Sequence, residues 1–290
     1  MPVGAKKKIS SPDTKIKMIG VGEIGISALK QMRNDGYSDI EFLGINSTEH
    51  DLDDLIQGAL YHTEAILITA GIGDGSSSDI ISIMAREAKK LDILCVCIVA
   101  YPLASDDSNE SKNADRAIER IRSAVDALIV LRNDHLQNLP DTQQEISPQA
   151  VQDSNKMLCQ GIGAIWEMMT HTGDVQIDFS DVKHLLSVSG KSMAILGIGQ
   201  SKNGSAIEAA RQAVNYPLME RDLHGAHALI INITASASDT RNDAFEAMNH
   251  IQKQTGYEDI DIILGTELGK DMGGTTRVVF LATDFDEDND

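Results

Sequence analysis

From residue 15 onward, short apolar runs alternate with stretches whose apolar positions recur at helical spacing. The runs at 16–20, 41–46, 65–69, 93–100 and 127–131 predict strands, and the stretches at 25–33, 51–60, 79–90 and around 113–125 predict helices between them. Strands alternating with helices predict a parallel sheet covered on both faces, a Rossmann-like nucleotide-binding architecture. A breaker-rich segment runs from Pro140 to Pro148, and after it residues 149–170 carry one long helical pattern. Met157, Ile162, Trp166 and Met169 give that helix its packing face, and it reads as a connection between domains. Beyond it, strands at 192–199, 228–234, 261–265 and 277–283, with helices at 205–215 and 242–255, predict a second α/β unit. Its last strands lack evenly spaced helices between them, so its sheet is expected to be mixed.

The organisation that follows is a disordered N-terminal tail (1–13), a Rossmann-like nucleotide-binding domain (14–148), a core connecting helix (149–172), a C-terminal α/β domain (173–285) and an acidic tail (286–290). The N-terminal tail carries Lys6, Lys7 and Lys8. Three lysines fall short of the four to eight basic residues of an anionic-lipid motif, and the tail reads as solvated. No repeat of solenoid length occurs.

Composition narrows the partners. With 25 Lys+Arg against 44 Asp+Glu in 290 residues the net charge is −19, the wrong sign for a nucleic-acid partner. No apolar run approaches the ~20 residues of a membrane span, and no secretory signal opens the chain, so a cytoplasmic protein without direct membrane insertion is expected. Cys95 and Cys97 would share one face of a strand and, with Cys159, read as buried structural thiols. His224 and His227 lie three apart before a strand and read as surface residues; the histidines offer no metal set.

Two glycine-rich turns carry candidate chemistry. Gly20-Val-Gly-Glu-Ile-Gly follows the first strand and opens a helix, where backbone N–H groups would face a phosphate. A dinucleotide fold also expects an acidic residue at the end of the second strand, which here ends Gly44-Ile-Asn-Ser-Thr, and this argues against NAD. Ala70-Gly-Ile-Gly-Asp-Gly-Ser-Ser-Ser-Asp follows the third strand, so two turns would flank one polyphosphate. Gly190-Lys-Ser is no P-loop, because the pattern's first glycine would be residue 185, a leucine.

These residues resemble the FtsZ/tubulin family, and within it FtsZ. The matches run in order from Lys15 to about Thr283: Ile19-Gly-Val-Gly with Asn46; Thr69-Ala-Gly-Ile-Gly; Pro102; Arg132-Asn-Asp; Cys159-Gln-Gly-Ile; Gln176-Ile-Asp-Phe-Ser-Asp-Val; Ile231-Asn-Ile-Thr-Ala; and Ile263-Leu-Gly-Thr. The resemblance implies a GTPase that polymerises head to tail, one subunit completing its neighbour's site with a synergy loop, here 174–181. The family's two catalytic acids fall on Asp178 and Asp181, suited to polarising water and organising a cation; capping of a helix N-terminus is the structural alternative. Nucleotide contacts would come from Gly20, Gly22, Gly25, Asn46, Gly71, Gly73, Gly75, Ser76, Ser77, Ser78, Asp106, Gln152 and Asp153, with GTP or GDP as cofactor and Mg²⁺ as its counter-ion.

The nucleotide side departs from the family pattern. Glu23, Ile24 and Ile26 stand in a loop expected to be nearly all glycine, and Gly73-Asp-Gly-Ser-Ser-Ser-Asp replaces a Gly/Thr signature. Glu23, Asp74 and Asp79 map near the triphosphate. Two unit charges ~5 Å apart at an effective dielectric of ~20 interact by about 3 kcal/mol. Micromolar binding is worth only about 8 kcal/mol in all. The insertion that senses the γ-phosphate is missing between Asn46 and Ala65. Asp106 replaces a Glu, Glu110 falls where an Arg belongs with Lys112 the nearby substitute, and Pro148 and Gln152 replace the guanine-stacking Phe and guanine-reading Asn, while Asp153 keeps its identity. The chain ends soon after the last strand, so tethering through a C-terminal peptide is not expected. Three readings follow: a slow but genuine GTPase, a pseudo-GTPase that assembles without nucleotide, and a non-catalytic partner that caps or co-assembles with another FtsZ. The loop facing the neighbour is better kept than the pocket it would act on. That imbalance favours a self-assembling FtsZ-like protein with weakened or lost GTP binding and hydrolysis.

Overall fold

The computed structural model describes residues 15–37, 40–46, 52–73, 76–102, 108–132, 148–170, 173–188, 193–216, 219–236, 241–268 and 272–286. In chain order the elements are β1 (Ile16–Val21), α1 (Gly22–Asn34), β2 (Glu41–Ile45), α2 (Leu52–Leu60), β3 (Ala65–Gly71), α3 (Ser76–Lys90), β4 (Leu94–Tyr101), α4 (Ser108–Arg122), β5 (Ala127–Arg132), α5 (Pro148–Thr170), α6 (Phe179–Val188), β6 (Ala194–Ser201), α7 (Ala206–Val214), β7 (Ala226–Ala235), α8 (Arg241–Thr255), β8 (Asp261–Leu268) and β9 (Thr276–Phe285). The tail expected at 1–13 lies outside the described residues; of the acidic tail expected at 286–290 only Asp286 is described, and it is tied to His227 and Tyr257.

The first sheet is parallel throughout, in the order β2-β1-β3-β4-β5. Its inner strands are largely apolar on both sides because both sides are covered, whereas the edge strand β2 is more exposed. Met18, Leu67, Ile98 and Ile129 face α1 and α5, while Ile19, Ile68, Cys97 and Val130 face α2, α3 and α4. Cys95 and Cys97 share that second face as buried thiols. Burial pushes both thiols well above their ordinary pKa, so they are neutral packing groups. From β1 the chain turns to β2 on one side and β3 on the other, which leaves a crevice at the carboxyl ends of β1 and β3.

Helices α1 and α3 begin about one turn earlier than the apolar spacing predicts, at Gly22 and Ser76 instead of 25 and 79. At α3 the reason is chemical. Serine enters a helix at less conformational cost than glycine, and the Ser82 hydroxyl donates back to the Ser78 carbonyl at 2.7 Å. A serine triplet therefore forms a first helical turn where a glycine run would form a loop.

The second sheet has the order β6-β9-β7-β8, with β7–β8 parallel and β9 antiparallel to both of its neighbours, the mixed sheet expected. Helices α7 and α8 cover one face through Ala209, Ala213, Ala247 and Ile251. The other face joins the core around α5, so α5 is the spine shared by the two domains. Trp166 packs there as expected, edge-to-face on Tyr37 with centroids 5.8 Å apart. A polar tie runs beside it: the Tyr37 hydroxyl donates to Glu167 Oε1 at 3.1 Å, and Arg277 Nη1 donates to Glu167 Oε2 at 2.8 Å. Burial, reinforced by the Glu167 carboxylate, holds the Tyr37 phenol protonated. Three parts of the chain, the turn after α1, the spine and β9, are thus joined by one partly buried carboxylate.

Candidate functional site: two opposed ends

At the carboxyl end of the first sheet, α1 is drawn onto the strands by glycines that admit no side chain. A Cβ on Gly20 would stand 2.5 Å from the Gly25 carbonyl oxygen, and one on Gly25 would strike the Thr69 carbonyl oxygen. Gly22 opens α1 at φ +69°, in the left-handed region that glycine tolerates. The two helix N-termini, α1 and α3, converge on a cleft of about 330 Å³. It is lined by Gly22, Asn46, Gly71, Gly73, Ser76 and Ser77 from the expected contacts. Gly20 and Gly25 lie behind it as packing glycines, and Ser78 is buried in the first turn of α3. Gly75 and Asp106 lie outside the described residues, as does Asp74, and of Gln152 and Asp153 only the helical backbone is described.

Side chains as well as bare backbone line this cleft. Ile24 lies across the cleft with its Cδ1 against the face of Gly71, where a Cβ would collide with it. Glu110 reaches over from α4, and its Oε1 is 3.2 Å from where a Gly73 Cβ would be. Glu23 adds a second exposed carboxylate to the lining. Asp79 does not belong to this group. It forms an ion pair with Arg120 of α4 and lines a separate cleft with Ser82, Arg86 and Ser123. The mapping of Glu23, Asp74 and Asp79 onto the triphosphate is therefore corrected at Asp79. Glu110, which the resemblance sets where an Arg belongs, is the acid at Gly73.

At the opposite end, the loop before α6 is pinned to β8, the edge strand of the second sheet. Val175 and Thr266 exchange backbone hydrogen bonds of 3.2 and 2.9 Å, Ile177 is buried against Gly265, and Gly173 passes so close to the Thr266 carbonyl that a side chain there would clash. Asp178 follows at once. Its Oδ1 accepts from the Ser180 N–H at 2.7 Å and the Ser180 hydroxyl at 2.6 Å, which makes it the N-terminal cap of α6. Those two donors, the hydroxyl first, hold the Asp178 carboxyl below the ordinary aspartate range. Asp181 stands in the first turn of α6, and both acids are exposed. The bridge to β8 joins residues 91 positions apart in sequence, and nothing in the local pattern of 173–178 signals it.

The same end carries the beginning of β1. The Lys15 N–H donates to Glu64 Oε2 at 3.0 Å, the Glu64 N–H to the Lys15 carbonyl at 2.9 Å, and the Leu94 N–H to the Glu64 carbonyl at 3.0 Å. Lys183 of α6 reaches the same rim, donating to the Asp92 carbonyl at 2.6 Å and pairing with its carboxylate at 2.7 Å. Among the described residues there is no group of three or more His, Cys, Asp or Glu able to hold a metal ion, and no helix long and apolar enough to cross a membrane. His227 stacks on Tyr257 with centroids 4.3 Å apart and pairs with Asp286 at 2.8 Å.

The family model "Tubulin/FtsZ family, GTPase domain" matches residues 34–141, and "FtsZ family, C-terminal domain" matches residues 190–286. Among solved structures, an empty FtsZ dimer from M. jannaschii superposes with a TM-score of 0.80 at 23% identity, covering 93% of this chain and 88% of that one. CetZ2 from Haloferax volcanii, a GTPγS-bound protofilament, gives 0.71 at 19% identity over 95% of each chain. GDP-form protofilaments of Bacillus thuringiensis TubZ give 0.70 at 15% identity, covering 94% of this chain and 86% of that one. A GTPase-type sheet with its crevice at β1/β3, a spine helix and a mixed second sheet coincide with two matched domains that together span over two thirds of the sequence, and the chain belongs to the FtsZ/tubulin family.

Proposed function

We propose that this protein is an FtsZ-like cytoskeletal subunit that associates with itself head to tail, with guanine-nucleotide binding and hydrolysis weakened or lost. The observation that carries this reading is the side-chain content of the cleft: Ile24 against Gly71 and Glu110 beside Gly73, where an anion would need bare backbone. Ile24 takes the space and Glu110 the sign. The dimer and protofilaments of the superposed structures support self-association. The exposed acids at the other end, Asp178 and Asp181, are the groups that would meet a neighbour's cleft, and their assignment as catalytic acids rests on the family pattern. Asp178 has a structural task as well, since it caps α6. Mg²⁺ has no dedicated cage in this reading and would enter only between these carboxylates and a nucleotide. The site of action proposed is the cytoplasm.

Binding of a fluorescent GTP analogue, followed by electron microscopy with and without GTP, tests the proposal. Filaments that form without nucleotide, together with affinity well short of micromolar, are the expected result. Tight GTP binding would overturn the weakened-site reading. Isolated protomers at every concentration would overturn self-assembly, and filaments formed only beside another FtsZ would replace it with the partner reading.

A further inference from the structure

The acidic cleft and the basic N-terminal segment are opposite in charge, and Lys15, where that segment joins the fold, lies at the other end of β1 from the cleft. We infer that in the assembled form the cleft of one subunit is occupied by Lys6, Lys7 and Lys8 of the next, a tethered cationic segment taking the place of an anionic nucleotide. This rests on the head-to-tail reading above and gives that junction its occupant.

Three observations carry it. First, the cleft is lined at its mouth by the exposed carboxylates Glu23 and Glu110 and on one wall by the side chain of Ile24, which is 45% exposed. Lysine suits both surfaces, because its ammonium meets carboxylates while its methylene stem lies along an apolar wall. Second, in a chain of net charge −19 the run Lys6-Lys-Lys is the only place where three basic residues are consecutive. Third, the segment leaves the fold at Lys15, which is fixed to Glu64 on the rim that also carries the Asp92–Lys183 contact with α6. A head-to-tail neighbour would therefore present its cleft to the point where the segment emerges.

Reach separates a neighbour's cleft from the subunit's own. Seven peptide steps separate Lys8 from Lys15, a span of at most about 23–25 Å. Strand β1 alone rises about 20 Å between Lys15 and the cleft end. It also lies between β2 and β3 under helices on both faces, so an internal path must add the detour round a helix about 10 Å across. Across a junction no such detour exists. Tethering then supplies the lysines at a high effective concentration, so weak individual pairs suffice.

A charge-swap experiment on the full chain tests this. One variant reverses the segment (Lys6→Glu, Lys7→Glu and Lys8→Glu); the other reverses the cleft (Glu23→Lys and Glu110→Lys). Assembly is followed by light scattering and electron microscopy. Each variant alone should raise the critical concentration for assembly by about tenfold or more, because like charges then meet at every junction. An equimolar mixture should recover assembly toward the wild-type level, since every heterotypic junction again pairs opposite charges. Wild-type assembly should also weaken as salt rises. If both variants assemble as the wild type does, the inference fails while head-to-tail assembly stands. If each variant is impaired but the mixture gains nothing, a trans occupant is excluded. If the wild type itself never assembles, the underlying reading has failed instead. Circular dichroism of the variants checks that the fold is intact.

Discussion

The two ends of this subunit are held by different means. The cleft end is shaped by the absence of side chains: Gly20 and Gly25 bring α1 against β1 and β3 at distances no Cβ permits, and what then enters the cleft is whatever the neighbouring positions carry. Here those positions are Glu23, Ile24 and Glu110. The hook end is shaped by the presence of partners: a two-bond bridge to β8, a buried Ile177 and the Asp178 cap on α6. A glycine scaffold survives any change of the residues around it, so nucleotide chemistry can be lost at one end without disturbing the fold. The hook has no such independence. The acid proposed for catalysis is also its cap, so a change at Asp178 reaches the structure of α6.

The largest effect expected from breaking this contrast is at the scaffold. Gly25→Val would drive methyl groups into the Thr69 carbonyl and part α1 from β3, a cost of about 3 kcal/mol or more. Chemical denaturation should show a clearly lowered midpoint; an unchanged one would mean that α1 is not held as described.

At the hook, Asp178→Ala and Asp178→Asn are expected to behave differently in stability and alike in function. Asparagine can still cap α6, so only alanine should lower the melting temperature, whereas both should remove whatever GTP turnover the protein has. Retained turnover in either variant would end the catalytic assignment. The cap is also pH-dependent with a definite sign. The folded carboxyl lies below the ordinary aspartate value of 3.8, so its stabilisation is complete at neutral pH. It is lost as the pH falls below 3.8 and through the depressed folded value. The melting difference between wild type and Asp178→Ala should therefore be constant near neutrality and close in acid.

A smaller and opposite effect belongs to the cleft. Removing one exposed carboxylate by Glu110→Gln, or clearing the wall by Ile24→Gly, should each strengthen binding of a GTP analogue, by about tenfold for the charge change once solvent screening is allowed for. Weaker binding after Glu110→Gln would point to a cation bridging the acid and the phosphates.

The smallest effect is expected at Asp79. Because it pairs with Arg120 away from the cleft, Asp79→Asn should leave nucleotide affinity within about twofold of wild type, the scatter expected of a distant surface change. A gain as large as that of Glu110→Gln would return Asp79 to the cleft.

Much of this was legible in the amino-acid order. Runs buried on both faces, such as 65–68 and 94–100, are unbroken apolar stretches, and their alternation with amphipathic helices leaves few arrangements other than a covered parallel sheet. The glycines at 20, 22, 25, 71 and 73 marked the crevice before its geometry was known, because a helix N-terminus after a strand is a local pattern. Helix starts were less legible, since serines at 76–78 carry no apolar periodicity and can serve a loop or a first turn.

What only the tertiary structure decided are facts about pairs distant in sequence. That Glu110 stands at Gly73 while Asp79 turns to Arg120, that Ile24 covers Gly71, that Val175 bridges Thr266 and that Glu167 joins Tyr37 to Arg277 all depend on where separate elements come to rest. Sequence determines which element forms through short-range periodicity and backbone preference, whereas the direction of a side chain on a formed helix is set by its neighbours in space. The identity of this protein's fold therefore lay in its pattern, and the character of its cleft in its packing.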